Sequence, residues 1–272
     1  MASPEPHILV TNDDGIRAPG LLALRDACAR REANLGDVTV LAPDHNWSAS
    51  GHVKTMHKPL RVTEVTLPDG TAALATTGAP SDAVAVALLG IVERPIDLVV
   101  SGINHGANLG HDVTYSGTVT AAMEAAIANV PAIAVSLTTH EQASFEVAAR
   151  FAASLAQQTL EHGLPEGVLL NVNVPPLPAE EIAGVRVTRM GLRIYRDELI
   201  RRVDPRGIPY YWIGGPPPTG IEEEGTDVWA VANGYISVTP IQLDLTAHDL
   251  LAGLQEWDLG STQSPSHEGL AC

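Results

Sequence analysis

Short apolar runs alternate with helical segments through the first two thirds of the chain, a pattern typical of βαβ units around a parallel sheet. Strands are predicted at 8–11, 38–42, 97–101, 132–137 and 168–174. Helices are predicted at 20–31, 81–92, 144–161 and from Ser116 or Thr118 to 129, and a hairpin joins 60–67 to 71–76. The alternation predicts an α/β fold with a doubly wound, mostly parallel sheet.

The composition and the patterning of the sequence change after Pro175 and Pro176. Strand-like pieces at 185–190 and 235–239 are joined by a stretch rich in proline and glycine at 209–220. This composition predicts a projecting β element rather than a continuation of the sheet, closed by a short helix near 247–257. The expected division is a core at 1–183, an extension with the C-terminal helix at 184–258, and a disordered tail at 259–272.

Length and charge limit the classes of function. A chain of 272 residues is long enough for one large core with a small appendage. Sixteen basic against thirty-two acidic residues give a net charge of −16, which argues against a nucleic-acid surface. The sequence has no apolar run of membrane-spanning length, no leader pattern, and only Cys28 and Cys272 as cysteines. A soluble cytoplasmic protein that does not bind membranes is expected.

The first predicted strand ends on two adjacent carboxylates, Asp13 and Asp14, followed by Gly15. In open α/β sheets, ligands bind just outside the carboxyl ends of the strands. Two neighbouring ionised carboxylates repel each other, and a raised pKa on one of them or a bound divalent metal relieves the repulsion. A solvated Asn-Asp-Asp-Gly turn explains the same residues, so this segment alone leaves both interpretations open.

Two further loops offer oxygen ligands. The polar loop at 43–58 contains Ser48, and the glycine-rich loop at 102–112 contains Asn104. Mg²⁺ and Mn²⁺ prefer carboxylate, carbonyl and hydroxyl oxygens, whereas zinc sites of the structural type need cysteine or histidine pairs that the sequence lacks. Ordinary turn chemistry accounts for Ser48 or Asn104 taken alone, but their coincidence with the acid pair favours a site for a hard cation.

An anion site is predicted where Ser116, Gly117 and Thr118 begin a helix, because backbone N–H groups and the helix dipole attract negative charge there. The sequence contains neither a Walker A motif nor a dinucleotide fingerprint. Simple helix capping by Ser or Thr is the alternative explanation.

Several motifs together closely resemble the SurE family of metal-dependent nucleotidases. The resemblance spans about residues 8 to 250 and rests on segments that occur in the family's order: 10–16 with 18–20, 42–48, 101–112, 115–119, 171–175, 204–207, 211–214, 225–227 and 244–248. Residues 47–51 depart from the residue order that is commoner in the family, so the resemblance does not predict which base is preferred.

This resemblance implies a Rossmann-like three-layer α/β/α sandwich with a projecting β-hairpin and a C-terminal helix. It implies hydrolysis of nucleoside 5′- and often 3′-monophosphates, in some members also of short polyphosphate, with one Mg²⁺ or Mn²⁺ per subunit. The implied metal ligands are Asp13, Asp14, Ser48 and Asn104. Homodimers or homotetramers formed through C-terminal exchange are implied as well.

Roles for the site residues follow as hypotheses. The expected substrate-binding residues are Asn12, Asn108, Ser116, Gly117 and Thr118, and the expected catalytic residues are Asp13, Asp14 and His248. Activated water attacking phosphorus and a phosphorylated Asp13 are both left open as mechanisms.

Two further residues have two interpretations each. His248 and Asp244 form either a proton donor with its carboxylate or a structural pair at a subunit interface. Trp47 either stacks on a base or covers its own loop. A non-catalytic nucleotide sensor is the alternative class of function, and the complete set of metal ligands weighs against it.

Overall fold

A nine-stranded sheet organises the chain in this computed structural model, which describes residues 5–29, 35–257 and 259. The strands are β1 His7–Thr11, β2 Asp37–Pro43, β3 Val62–Thr66, β4 Ala72–Thr76, β5 Leu98–His105, β6 Ala132–Leu137, β7 Val168–Val174, β8 Gly184–Val187, β9 Arg193–Ile194, β10 Glu198–Val203, β11 Pro209–Gly214, β12 Thr219–Gly220 and β13 Tyr235–Gln242. The helices are α1 Pro19–Ala29, α2 Pro80–Val86, α3 Gly117–Ile127, α4 Glu146–His162, α5 Asp227–Ala232 and α6 His248–Gln255.

The order of strands in the main sheet is β3-β4-β2-β1-β5-β6-β7-β13-β8. All neighbouring strands from β4 to β7 run parallel, whereas β3 pairs antiparallel with β4 and β13 pairs antiparallel with β7. Every residue of β1 and β6 is buried. Strands covered on both faces read as continuous apolar runs, which is why the sequence revealed them.

Helices cover the sheet on both faces. Leu21 and Leu24 of α1 pack with the alanines of α4 in one apolar cluster, and Val84 of α2 packs with Val119 and the alanines of α3 in the other. Small side chains on α3 and α4 let these helices lie close to the sheet. The predicted α/β sandwich with a mostly parallel sheet and an additional β ribbon is confirmed.

β5 and the helix predicted at 81–92 differ most from the prediction. β5 does not end at Ser101 but continues to His105, with a shift in its register against β6 between Ser101 and Asn104. The predicted helix at 81–92 begins at Pro80, and its last part, Ala87–Ile91, is a π-helical turn interrupted by Gly90 at φ +119°. The sequence did not predict the continuation of β5 because glycines are typical of loops. Glycine also occurs where a strand ends irregularly, so the same residues fit both structures.

The projecting part of the fold is smaller than predicted. β8 and β13 were expected in the extension, but β13 pairs with β7 and β8 pairs with β13, so both belong to the main sheet. Only the β10–β11 ribbon and the short β9–β12 pair lie outside it. A boundary at residue 184 therefore does not follow the sheet. Of the predicted tail at 259–272, residues 260–272 with Cys272 lie outside the described residues, as do residues 30 and 31 of the predicted first helix.

Within the described residues, the structure contains no helix that is both long and apolar enough to cross a membrane.

Candidate active site

An open pocket of about 270 Å³ lies at the carboxyl ends of the parallel strands. Five of the predicted site residues line this pocket: Asp13, Ser48, Asn104, Asn108 and Ser116. Its other lining residues are Ala49, His105, Gly106, Ala107, Asp112, Tyr115, His140, Arg193, Tyr195 and Pro218. Tertiary structure thus brings together three segments that are distant in the chain, as the position of the strand ends predicts.

Asp13 is the most buried acid of the pocket, with 3% of its surface exposed. Its Oδ1 accepts a hydrogen bond from Thr118 Oγ1 at 2.5 Å, and its backbone carbonyl accepts one from Trp47 N–H at 2.8 Å. The pKa of Asp13 is raised to about 6, chiefly by burial and to a smaller extent by the charge of Asp14, while the hydrogen bond from Thr118 opposes the shift. A raised pKa is expected for a carboxylate that is buried with no cation beside it.

Asp14 links the loop at 43–58 to the end of β5. Its Oδ1 accepts a hydrogen bond from Asn46 Nδ2 at 3.1 Å, and its Oδ2 accepts one from His105 N–H at 3.3 Å. Asp14 is half-buried and is not among the residues that line the pocket. Asn46, which the sequence interpretation did not place in the site, therefore helps to fix the second acid.

The oxygen atoms that face the pocket suit a hard cation. Asn104 Nδ2 donates to the carbonyl of Gly106 at 2.9 Å, so Asn104 Oδ1 is the side-chain atom left to act as a ligand. Ser48 is exposed, and its backbone N–H donates to Asn46 Oδ1 at 2.8 Å, which fixes the turn that carries its hydroxyl. Carboxylate, hydroxyl and amide oxygens are the ligands of Mg²⁺ and Mn²⁺. In the described parts of the chain no three His, Cys, Asp or Glu residues cluster as metal ligands would.

The start of α3 contacts Asp13 directly. Ser116 is the N-cap, and its Oγ accepts a hydrogen bond from Val119 N–H at 3.2 Å. A Cβ added to Gly117 would lie 2.7 Å from Asp13 Cβ, so only glycine permits this approach. The anion that lies at the start of α3 is therefore the carboxylate of Asp13 itself.

Three predicted substrate-binding residues make contacts within the protein. Thr118 is fully buried, and its hydroxyl is committed to Asp13. Gly117 lies behind Asp13 and does not line the pocket. The side chain of Asn12 is buried and closes its own turn by accepting from Gly15 N–H at 3.2 Å and donating to Gly15 O at 3.1 Å. These contacts hold the helix start against Asp13, and a direct contact of Asn12, Gly117 or Thr118 with substrate stays a prediction.

Asn108 lines the pocket and is held from behind. Its Nδ2 donates to Ser136 Oγ at 2.8 Å, and its backbone N–H donates to Asn173 Oδ1 at 2.9 Å. The carbonyl of Asn108 accepts from the side-chain amides of Asn171 and Asn173. Two strands of the sheet, β6 and β7, thus fix this part of the pocket wall.

One wall of the pocket comes from residues that the sequence interpretation missed. Asp112 Oδ2 lies 3.1 Å from Arg193 Nε, and Asp112 Oδ1 accepts a hydrogen bond from Tyr195 O–H at 2.5 Å. Burial and the neighbouring charge of Asp112 raise the pKa of Tyr195, so its hydroxyl stays protonated. No spacing in the sequence links Asp112 to a segment more than 80 residues away.

His248 and Trp47 do not line the pocket of this chain. His248 Nε2 lies 2.6 Å from Asp244 Oδ2, as the four-residue spacing predicts. However, α6 begins only at His248, so Asp244 precedes the helix rather than sharing a face of it. The ring of Trp47 lies 5.2 Å from that of His45, and its role in stacking stays a prediction.

Comparisons with known proteins give a consistent result. The family model described as "Survival protein SurE" matches residues 8–197. A protein of Herpetosiphon aurantiacus named "5'-nucleotidase SurE" is 54% identical over 245 residues, which cover 89% of this chain and 94% of that protein. A protein of Geobacter sulfurreducens with the same name is 50% identical over 256 residues, covering 94% and 95%. The crystal structure of SurE protein from Aquifex aeolicus superposes with a TM-score of 0.77 at 42% identity, covering 92% of this chain and 98% of that one.

The raised pKa of Asp13 predicts a pH-dependent stability of the metal-free protein. Since its pKa rises from 3.8 unfolded to about 6 folded, the folded form retains this proton over that pH range while the unfolded form loses it. Stability therefore falls as the pH rises through this window, by up to about 3 kcal/mol in total. In EDTA, Asp13→Asn should be more stable than the parent at pH 7.5 and equally stable near pH 4. Urea unfolding measures this, with Glu64→Gln on the exposed edge strand as a control. Equal stability of parent and variant at pH 7.5 contradicts the expectation.

The contact between Gly117 and Asp13 predicts a second effect. Gly117→Ala places a methyl group against Asp13 Cβ and should displace the carboxylate by a fraction of an ångström. Such displacements in a site cost about 100-fold in activity, so kcat/KM and Mn²⁺ affinity should both fall. Gly253→Ala, where an added Cβ meets open space, is the matched control. Unchanged Mn²⁺ affinity in Gly117→Ala would show that the contact does not position Asp13.

Proposed function

The chain belongs to the SurE family, and from this premise we propose that it hydrolyses nucleoside 5′-monophosphates, and also 3′-monophosphates, to nucleoside and phosphate. Relatives that are about half identical over nine tenths of the chain bear the name 5′-nucleotidase, and the chain is a phosphatase of that class. The observation that supports this most directly is the convergence of Asp13, Ser48 and Asn104 in one pocket. Activity on short polyphosphate is part of the proposal.

Membership of this family implies a metal-dependent enzyme. We propose one Mg²⁺ or Mn²⁺ per subunit, held by Asp13, Asp14, Ser48 and Asn104. When bound, the ion supplies positive charge that polarises the phosphoryl group and lowers the pKa of bound water. The fit rests on the donor set, because Asn104 Oδ1 is not used by the bond that its Nδ2 makes to Gly106, and because a cation would stabilise the ionised form of Asp13, whose burial opposes its charge.

The residues of the chain supply mainly positioning, which is what phosphoryl transfer requires of a protein. Thr118 fixes Asp13, and Asn46 with the backbone of His105 fixes Asp14. The Ser116 hydroxyl and Asn108 at the pocket wall are the groups proposed to contact the phosphate. Direct attack by water is favoured over a phosphorylated Asp13, since that carboxylate is 3% exposed and one of its oxygens is bound by Thr118.

Metal dependence and substrate class are tested in one assay. Phosphate release from a panel of nucleoside monophosphates should require Mn²⁺ or Mg²⁺ and stop in EDTA. Asp13→Asn should lower kcat/KM by at least about 100-fold, because it removes a charged ligand from the site. Glu64→Gln, an exposed acid outside the pocket, should retain the parent activity.

Two results of this assay contradict the proposal. Full turnover in EDTA after dialysis would show that the reaction does not require a metal ion. Tight nucleotide binding without phosphate release by the metal-loaded protein indicates a sensor instead of an enzyme.

We propose further that the chain forms a homodimer or homotetramer through its C-terminal region and acts in the cytoplasm. No residue of α6 is buried in the single chain, although Leu250, Leu251 and Leu254 are apolar. The β10–β11 ribbon also exposes large apolar side chains: Leu199, Tyr211, Trp212 and Ile213. Clusters of exposed apolar side chains, such as those on α6 and on the β10–β11 ribbon, are typical of interaction sites.

Substitution of α6 tests the assembly. Leu250→Glu should reduce the mass measured by light scattering, because it introduces a charge into the proposed interface, whereas Leu89→Glu, an exposed leucine outside both surfaces, should not.

His248→Ala should keep kcat within about threefold, as expected of a structural pair with Asp244. A loss of kcat in a fully assembled His248→Ala variant would instead make His248 a catalytic group.

A further inference from the structure

Arg193 is the only lysine or arginine among the described residues that line the pocket. It lies on β9, outside the main sheet, whereas the metal ligands lie at the sheet edge. The other charged side chains of the pocket are the acids Asp13 and Asp112, with the imidazoles of His105 and His140 at its rim. Among these pocket residues, Arg193 is therefore the one group with a permanent positive charge that can attract an anionic substrate.

A buried carboxylate fixes the position of this arginine. Asp227 is fully buried, and its Oδ1 accepts a hydrogen bond from Gly191 N–H at 2.7 Å while its Oδ2 accepts one from Gly110 N–H at 2.8 Å. A Cβ added to Gly110 would lie 2.4 Å from Gly191 O, so the two backbones are in close contact. The segment that carries Arg193 is thereby joined to the loop that carries Asp112.

The guanidinium of Arg193 is oriented but not saturated. Its Nε faces Asp112 Oδ2 at 3.1 Å as an ion pair, yet this buried nitrogen makes no well-aligned hydrogen bond. The Arg193 side chain also lies within hydrogen-bonding reach of the Tyr195 hydroxyl, and among the described residues its guanidinium has no further acceptor, although the side chain is only 18% exposed. Guanidinium N–H groups in a largely desolvated wall require an acceptor, and phosphate oxygens match their geometry.

We propose that Arg193 binds the phosphoryl oxygens of the substrate, with Asp112 and Tyr195 as positioning residues that hold its guanidinium. This inference rests on the proposed function. In the hydrolysis, a water oxygen bonds to phosphorus, the bond from phosphorus to the ester oxygen breaks, and a proton from the water ends on the released alcohol. Negative charge on the phosphoryl oxygens then lies between the sheet edge and Arg193 throughout the displacement.

Substrates with and without a nucleoside separate phosphate contact from base contact. Arg193→Gln should lower kcat/KM by about 100-fold for both adenosine 5′-monophosphate and 4-nitrophenyl phosphate, because the two share only the phosphoryl group. Arg193→Lys, which retains the charge without the fork, should fall between the parent and Arg193→Gln. A loss confined to the nucleotide overturns the proposal, as does the absence of any loss.

Binding of inorganic phosphate to the Mn²⁺-loaded protein gives a readout independent of turnover. Calorimetry should show about tenfold weaker phosphate binding in Arg193→Gln, with an unchanged Kd for Mn²⁺. Arg196→Gln, three residues along the same segment and outside the pocket, should bind phosphate as the parent does. Unweakened phosphate binding in Arg193→Gln, with Mn²⁺ bound, contradicts the proposal.

Asp112→Asn tests the positioning role. Removal of a negative charge from the pocket would by Coulomb's law alone tighten phosphate binding, whereas loss of the group that orients Arg193 should weaken it about threefold or more. Tighter binding overturns the positioning role. Should the parent release no phosphate from any nucleotide, the proposed function fails, and phosphate binding by the parent and Arg193→Gln still decides the role of Arg193.

Discussion

The site depends on one contact, in which the carboxylate of Asp13 lies against the start of α3. Gly117 permits this approach, and the hydroxyl of Thr118 donates to Asp13 Oδ1. Burial raises the pKa of this acid to about 6, which means that the folded chain holds an ionisable group in an environment that opposes its charge. A cation in the pocket would relieve that opposition, which is the physical basis of the metal site that we propose there.

Elements from distant parts of the sequence complete the site because the sheet brings their ends together. The turn after β1 supplies the acids, β5 supplies Asn104, and the loop at 43–58 supplies Ser48. Buried polar side chains behind the pocket hold these segments: Asn12 in its turn, Asn171 and Asn173 behind Asn108, and Asp227 between the loop and the extension. Positions fixed in this way need little reorganisation when a substrate binds.

The sequence was informative wherever one physical requirement acted on neighbouring residues. Buried parallel strands gave continuous apolar runs, and the polar residues that follow the strand ends predicted that Asp13, Ser48 and Asn104 lie in one pocket. The interpretation failed for β8 and β13, because their composition resembles that of the projecting ribbon although they pair with the main sheet. It did not foresee the internal hydrogen bonds of Asn12 and Thr118, because these residue types suit a ligand contact as well as a contact within the protein.

The sequence by itself determined the class of fold and the family, since local patterning and motif order carry that information, and it supplied the residues of the proposed cation site. Tertiary structure alone decided which polar groups open into the pocket and which support others. It also decided that Arg193 and Tyr195 reach Asp112 from a segment more than 80 residues away. The physical reason is that direction and distance between remote side chains depend on packing of the whole chain, which no local spacing encodes.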